Sequence, residues 1–249
     1  MINQLIHSAV DAGLGQFFYN LFFALGFVVI IIYTAINCKN YGIGRGKALL
    51  FSFCVYTVTV LWMFFLFWME SGFKNWGGNN IVRIFIWVPV AAYPFCKWMK
   101  IDWGKACEFL APCPAMVQGI SHYGCIFHGC CHGYPWKYGI WNPALDYNTF
   151  PVQPVEACVA VAVVIYVLIR QKKKNYTADG LTYPIMLMLF GYSRFLLEFA
   201  RDNDKLFLGI SDLAIHALVM AVVGTIWYIT VKDINSRKKK TAPRRTRKA

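Results

Sequence analysis

The stretch from residue 16 to 37, QFFYNLFFALGFVVIIIYTAIN, runs through 22 positions without one charged side chain. At about 1.5 Å per residue a helix of that length matches the roughly 30 Å hydrocarbon core of a bilayer. Six further segments can span with it, at 48–69, 80–98, 106–127, 154–169, 181–200 and 211–231. Because lipid offers no hydrogen bonds to an open backbone, such segments fold as helices. The expectation is an all-α polytopic membrane protein with about seven transmembrane helices. It forms a single domain over 1–235, with a basic tail at 236–249. Composition agrees: 58% of residues are hydrophobic and 15% charged, against about 45–50% and 25% in soluble domains. The fourth segment holds APCP and several glycines, so a broken or re-entrant helix is expected there as readily as a straight span.

Basic residues then orient the chain, since Lys and Arg concentrate in cytoplasmic loops. With the N-terminus outside and the C-terminus in the cytoplasm, 19 of the 25 basic residues fall inside. They cluster at Lys39–Lys47, Lys97–Lys105, Arg170–Lys174 and from Lys232 onward. Only Lys74, Lys137, Arg201 and Lys205 fall outside. The net charge of +13 is therefore a topological signal rather than a nucleic-acid footprint, and no nucleic-acid partner is expected. The start, MINQLIHSAVDAG, lacks the basic and apolar regions of a cleavable signal peptide. The same topology puts Tyr134, Trp136, Tyr138, Trp141, Tyr147 and Phe150 in one outer loop, at the depth of lipid headgroups.

Ionisable side chains inside a span are costly and mark function by default. GYSRFLLEFARDND places Arg194, Glu198 and Arg201 at i, i+4 and i+7, on one helical face. This is either an intrahelical salt bridge that eases the chain out of the bilayer or an anion clamp. The two arginines carry one positive charge more than Glu198 neutralises, which favours the clamp. Arg83, in GGNNIVRIF, either snorkels outward or adds a third cation to the site. Glu156 opens the fifth segment three residues after Gln153, where an acid also suits the helix dipole.

Between the fourth and fifth segments lies SHYGCIFHGCCHGYP. A metal is one reading, with Cys130, Cys131 and His132 as candidates, although the spacing fits no standard zinc motif. Disulfides among Cys107, Cys113, Cys125, Cys130 and Cys131 are a second. A thiol nucleophile or acid–base pair drawn from the cysteines and histidines of this stretch is a third, and close packing of small residues at a helix break is the remaining one. Cys38, Cys54 and Cys96 read as packing residues.

These motifs together resemble those of the prolipoprotein diacylglyceryl transferases of bacterial membranes. GYSRFLLEFAR is similar to that family's Y-G-x-x-R-F-x-x-E-x-x-R, and FPVQPVE to its H-P-x-Q-x-Y-E. SHYGCIFHGCCHG aligns without gaps on G-R-x-G-N-x-x-N-x-E-x-x-G. Gly124 and Gly133 are retained, while His122, Cys125, His128 and Cys130 stand where the family has Arg, Asn, Asn and Glu. The likeness covers about residues 76 to 216. It implies a multi-pass enzyme of the bacterial cytoplasmic membrane that moves the diacylglyceryl group of phosphatidylglycerol to the thiol of a prolipoprotein or another exported acceptor, without a cofactor. On that pattern Arg194, Arg201 and Glu198 are catalytic, with His122 and Cys130 beside them. Cys125, His128, Gly133, Gln153, Glu156 and Arg83 bind substrate. The rival class is a non-enzymatic, thiol-redox or metal-binding membrane protein on the same scaffold.

Overall fold

The computed structural model describes residues 2–74, 82–207 and 210–241. The GGNN stretch and the tail residues 242–249 lie outside them. The helices are α1 (Ile2–Asp11), α2 (Gly15–Asn37), α3 (Arg45–Glu70), α4 (Val82–Met99), α5 (Trp103–Leu110), α6 (Cys113–His128), α7 (Val152–Lys173), α8 (Thr182–Glu198) and α9 (Asp212–Thr241). Strands β1 (Pro135–Asn142) and β2 (Tyr147–Thr149) form an antiparallel hairpin, and β3 (Lys205–Phe207) pairs with β4 (Ile210–Ser211). Among the described residues each of the seven apolar segments is largely helical, so the fold is an all-α polytopic membrane bundle. Gly15–Tyr41, Arg45–Glu70, Val152–Lys173 and Asp212–Lys238 are long and apolar enough to cross a bilayer by themselves. The remaining segments are shorter or interrupted and lean on these.

The fourth segment is broken. Asp102 caps α5 by accepting the Lys105 N–H at 2.8 Å, and the helix ends where Pro112 and Pro114 remove backbone donors. The carbonyls freed at the break find side chains. Tyr33 Oη donates to Phe109 O at 2.9 Å, and Gln171 Nε2 donates to Glu108 O at 2.6 Å. A broken helix is tolerable in a membrane only with such partners.

Small residues then set how closely helices approach. A methyl at Gly119 would sit 3.0 Å from Ala160 Cβ, binding α6 to α7. One at Gly191 would meet the Ala221 backbone nitrogen at 2.7 Å, binding α8 to α9. Close backbone contact of this kind is the main cohesive device between helices in lipid. It gathers the C-terminal ends of α6 and α8 and the N-terminal ends of α7 and α9 at one end of the bundle. The basic residues Arg45, Lys47, Lys97 and Arg170 lie on the helix ends that face the other way.

Two elements at the gathered end were not expected. The aromatic loop folds as the β1–β2 hairpin, whose turn is closed by Asn142. Its Oδ1 accepts the N–H groups of Ala144 (2.8 Å) and Leu145 (3.2 Å), and its Nδ2 donates to Gly129 O at 3.0 Å. The N-terminus forms α1, which lies against this hairpin: Asn3 Oδ1 accepts the Trp141 N–H at 3.2 Å, and His7 stacks on the Trp141 ring at 3.5 Å. Ile6 is buried while Ile2 and Leu5 are exposed, the pattern of an amphipathic helix lying along an interface.

Candidate active site

Glu156, at the start of α7, is wholly buried at the centre of a charged cluster. Its Oε1 lies 3.1 Å from Arg194 Nε and accepts from Gln118 Nε2 at 2.8 Å. Its Oε2 pairs with Arg201 Nη2 and lies 3.5 Å from His122 Nδ1. Glu198 pairs with Arg194 Nη1, lies 3.7 Å from Arg201 Nε, and accepts hydrogen bonds from Ser211 Oγ (2.8 Å) and Asn203 Nδ2. The residues come from α6, α7, α8 and the segment between α8 and α9, which explains the need for tight helix contacts at this end.

The charge balance differs from the sequence expectation. The surplus positive charge assigned to the two arginines is taken up by Glu156, so two guanidiniums face two carboxylates. Buried ions persist only when paired in this way. Gln118, one turn before His122 on α6, links His122 Nε2 (2.9 Å) to Glu156. Gln118, Asn203 and Ser211 were missed in the sequence. The i, i+4 spacing of Gln118 and His122 was the one local signal for any of them.

Other expected residues fall elsewhere. Arg83 pairs with Glu70 at 2.6 Å and lies 4.0 Å from Asp212, at the junction of α3, α4 and α9 rather than in the Glu156 cluster. His128 is exposed, its ring tilted against Tyr19 at 5.0 Å, because it follows the outer face of the last turn of α6. Gln153 acts on backbone: its Nε2 donates to Cys130 O at 2.9 Å and fixes the loop that carries the thiols. His132 turns its Nδ1 to Gly133 O (3.3 Å) and its carbonyl to the Asp202 N–H (3.3 Å), and is not grouped with His122, Cys125 and Cys131.

All nine cysteines are free thiols. Cys107 and Cys113 flank the α5–α6 break, Cys113 at the start of α6 and Cys125 in its last turn, so the bridges considered between these groups do not form. Cys131 lies at φ 60°, in the left-handed region that non-glycine residues seldom adopt. Its thiol is held well below the ordinary range by Sγ–H donation from Cys125 and Cys130, with His122 and the Arg201 guanidinium adding to the effect.

Gly133 couples the thiol loop to the arginines. It forms a β-bridge with Arg201, and the neighbouring Tyr134 N–H donates to Ala200 O at 3.3 Å. A methyl on Gly133 would stand 2.7 Å from the carbonyl oxygens of both Ala200 and Phe150. Gly133→Ala is therefore expected to destabilise the protein by about 1–3 kcal/mol, the usual cost of overpacking. The check is the thermal unfolding midpoint in detergent; an unchanged midpoint would mean the seam can open freely. A cleft lined by Tyr134, Glu198, Phe199, Arg201, Asn203 and Ser211 leads to this seam.

A helical bundle that buries two ion pairs and a thiol group at one end of its spans defines a membrane-embedded site for charged chemistry. The model of the prolipoprotein diacylglyceryl transferase family matches residues 10–230, and the chain belongs to that family of membrane transferases. It is 22% identical over 246 residues to the phosphatidylglycerol–prolipoprotein diacylglyceryl transferase 1 of Clostridium perfringens (strain 13 / Type A), covering 89% of this chain and 92% of that one. Similar relatives of the same name occur in Dehalococcoides mccartyi (strain ATCC BAA-2266 / KCTC 15142 / 195), 23% identical over 68% of this chain and 66% of the relative, and in Cupriavidus metallidurans (strain ATCC 43123 / DSM 2839 / NBRC 102507 / CH34), 26% identical over 63% and 61%.

Proposed function

We propose that the chain moves the diacylglyceryl group of phosphatidylglycerol, or a similar anionic phospholipid, to a thiol on an exported acceptor such as a prolipoprotein cysteine. The reaction takes place at the outer leaflet of the bacterial cytoplasmic membrane, with the N-terminus outside and the C-terminus in the cytoplasm. The observation that carries this reading is the Arg194–Glu156–Arg201–Glu198 cluster beside a cleft that Arg201 lines.

The leaving phosphate gains charge as its C–O bond breaks, and a preorganised guanidinium stabilises that charge most in the transition state. Arg201 Nε makes no hydrogen bond in the cluster, so it has a donor to give to such an oxygen. Glu156 and Glu198 hold the two guanidiniums in place. Gln153 and Gly133 hold the thiol-bearing loop beside them, and His122 lies within 4.8 Å of the Cys125 and Cys131 thiols. The basic helix ends lie at the far end of the bundle, which supports a site facing outward.

The test is purified protein with labelled phosphatidylglycerol and a peptide carrying a lipobox cysteine. Glycerol phosphate should be released and a diacylglyceryl thioether should form on the peptide. A serine version of the peptide should accept nothing. Release of neither product from protein that remains folded would sink the proposal.

A further inference from the structure

One imidazole nitrogen of His122 and the Sγ atoms of Cys125 and Cys131 lie within 4.8 Å of one another. We infer that these three residues hold a zinc ion whose fourth position binds the acceptor thiol. The inference rests on the transferase reading above and names the device that prepares its nucleophile.

The first argument is geometric. Zinc bonds of about 2.3 Å to sulfur and 2.0 Å to nitrogen hold tetrahedral ligands about 3.3–3.8 Å apart. The three atoms need to close by at most about 1.5 Å, and Cys131 belongs to a loop rather than a helix. The second argument concerns an unmet polar group. His122 is 4% exposed, and its Nδ1 makes no hydrogen bond, although Glu156 Oε2 lies 3.5 Å away. A buried polar atom left without a partner costs free energy that a ligand would recover.

The third argument is charge. Arg194 and Arg201 are already offset by Glu156 and Glu198, so the surrounding cluster is neutral. Two thiolates and a neutral imidazole around Zn²⁺ add no net charge to the buried site. Two thiolates without a cation would add two negative charges, which the ion pairs have no means to offset. Soft sulfur with imidazole also selects zinc over magnesium or calcium.

Three protein ligands and an open position mark a catalytic rather than a structural zinc site. An acceptor thiol entering that position loses its proton to water and binds as the thiolate. Its sulfur lone pair then forms the C–S bond to the glyceryl carbon that bears the phosphate. The C–O bond breaks with its electrons, and glycerol phosphate leaves against Arg201, which contacts Glu156 beside His122. Atoms and charge balance without an oxidant or reductant. Cys130 is close to Cys125 and Cys131 but outside the three-ligand group, so it is not counted as a ligand.

The experiment uses full-length protein purified in detergent without chelator. Elemental analysis should find about one zinc per chain. Cys125→Ala and Cys131→Ala should each lower this at least tenfold, while Cys158→Ala, at an exposed thiol on α7, should retain it. In cobalt-substituted protein, the cysteine peptide should add a thiolate-to-cobalt charge-transfer band, and its serine version should not. Copper in place of zinc, or no bound metal at all, would overturn the assignment. A cobalt spectrum unmoved by the peptide would overturn the open position, with Cys130 as the ligand closing it. Lipid turnover that persists after complete metal removal would refute the zinc role but leave the transferase reading standing. Zinc and peptide binding without any turnover would do the reverse.

Discussion

Arg201→Ala is expected to lower glycerol phosphate release at least about 100-fold, the scale seen when one donor to a developing oxyanion is removed. The same change removes a partner of Glu156 and leaves the cluster with unpaired negative charge. Breaking a buried pair from one side typically costs about 3–5 kcal/mol, so lost activity alone would not separate chemistry from folding. Arg201→Lys makes the separation. Lysine keeps the charge but not the planar fork that grips two oxygens. The lysine variant should unfold near the wild-type temperature yet turn over at least tenfold more slowly. Wild-type turnover by that variant would show that Arg201 is only a counter-ion.

The largest stability effect is expected at Glu156. Glu156→Leu leaves Arg194 and Arg201 facing each other without the carboxylate between them, at a cost of about 3–5 kcal/mol. Glu156→Gln should lose less, because its amide oxygen still accepts from one guanidinium. Adding Arg194→Met to Glu156→Leu should restore part of the loss, since residues in one ion-pair network are coupled rather than additive. Thermal unfolding in detergent reads all three. A Glu156→Leu protein that melts with wild type would remove Glu156 from the centre of the charge balance.

Much of this architecture was legible because lipid allows few backbone solutions. The run from 16 to 37 has one physical meaning in a bilayer, and α2 follows it; APCP left a break and a straight span equally open, and the α5–α6 break is the one adopted. The short helix α1 was not legible, since Ile6 and Ala9 become a buried face only once the hairpin is there to cover them. The hairpin itself was hidden by aromatics on both faces of β1, which erase the alternation of a half-buried strand, although Asn142 before Pro143 was a turn signal.

The site divided along the same line. Arg194, Glu198 and Arg201 share one helical face and its immediate exit, so their meeting could be read from spacing. Glu156 reaches Arg194 and Arg201 across a gap of dozens of residues, and read locally it was only a helix-start acid. Its importance is non-local, as is that of Gln118 from the preceding helix. Arg83 and His128 lie apart from the Glu156 cluster for the opposite reason: a charge or imidazole near the right depth says nothing of the direction in which its helix turns it.

The bridge between Gly133 and Arg201 has a kinetic meaning as well as a packing one. It ties the loop after α6, which carries Cys130 and Cys131, to the segment after α8, which carries Arg201; on the proposed reaction, the acceptor side and the departing phosphate are then set by one backbone contact. Reactants fixed in that manner no longer need to find one another by diffusion, and well-oriented intramolecular pairs behave as though present at about 10⁵ M or more. Lengthening this loop by a single residue would shift the register of that bridge and, on the proposed reaction, dilute its two ends.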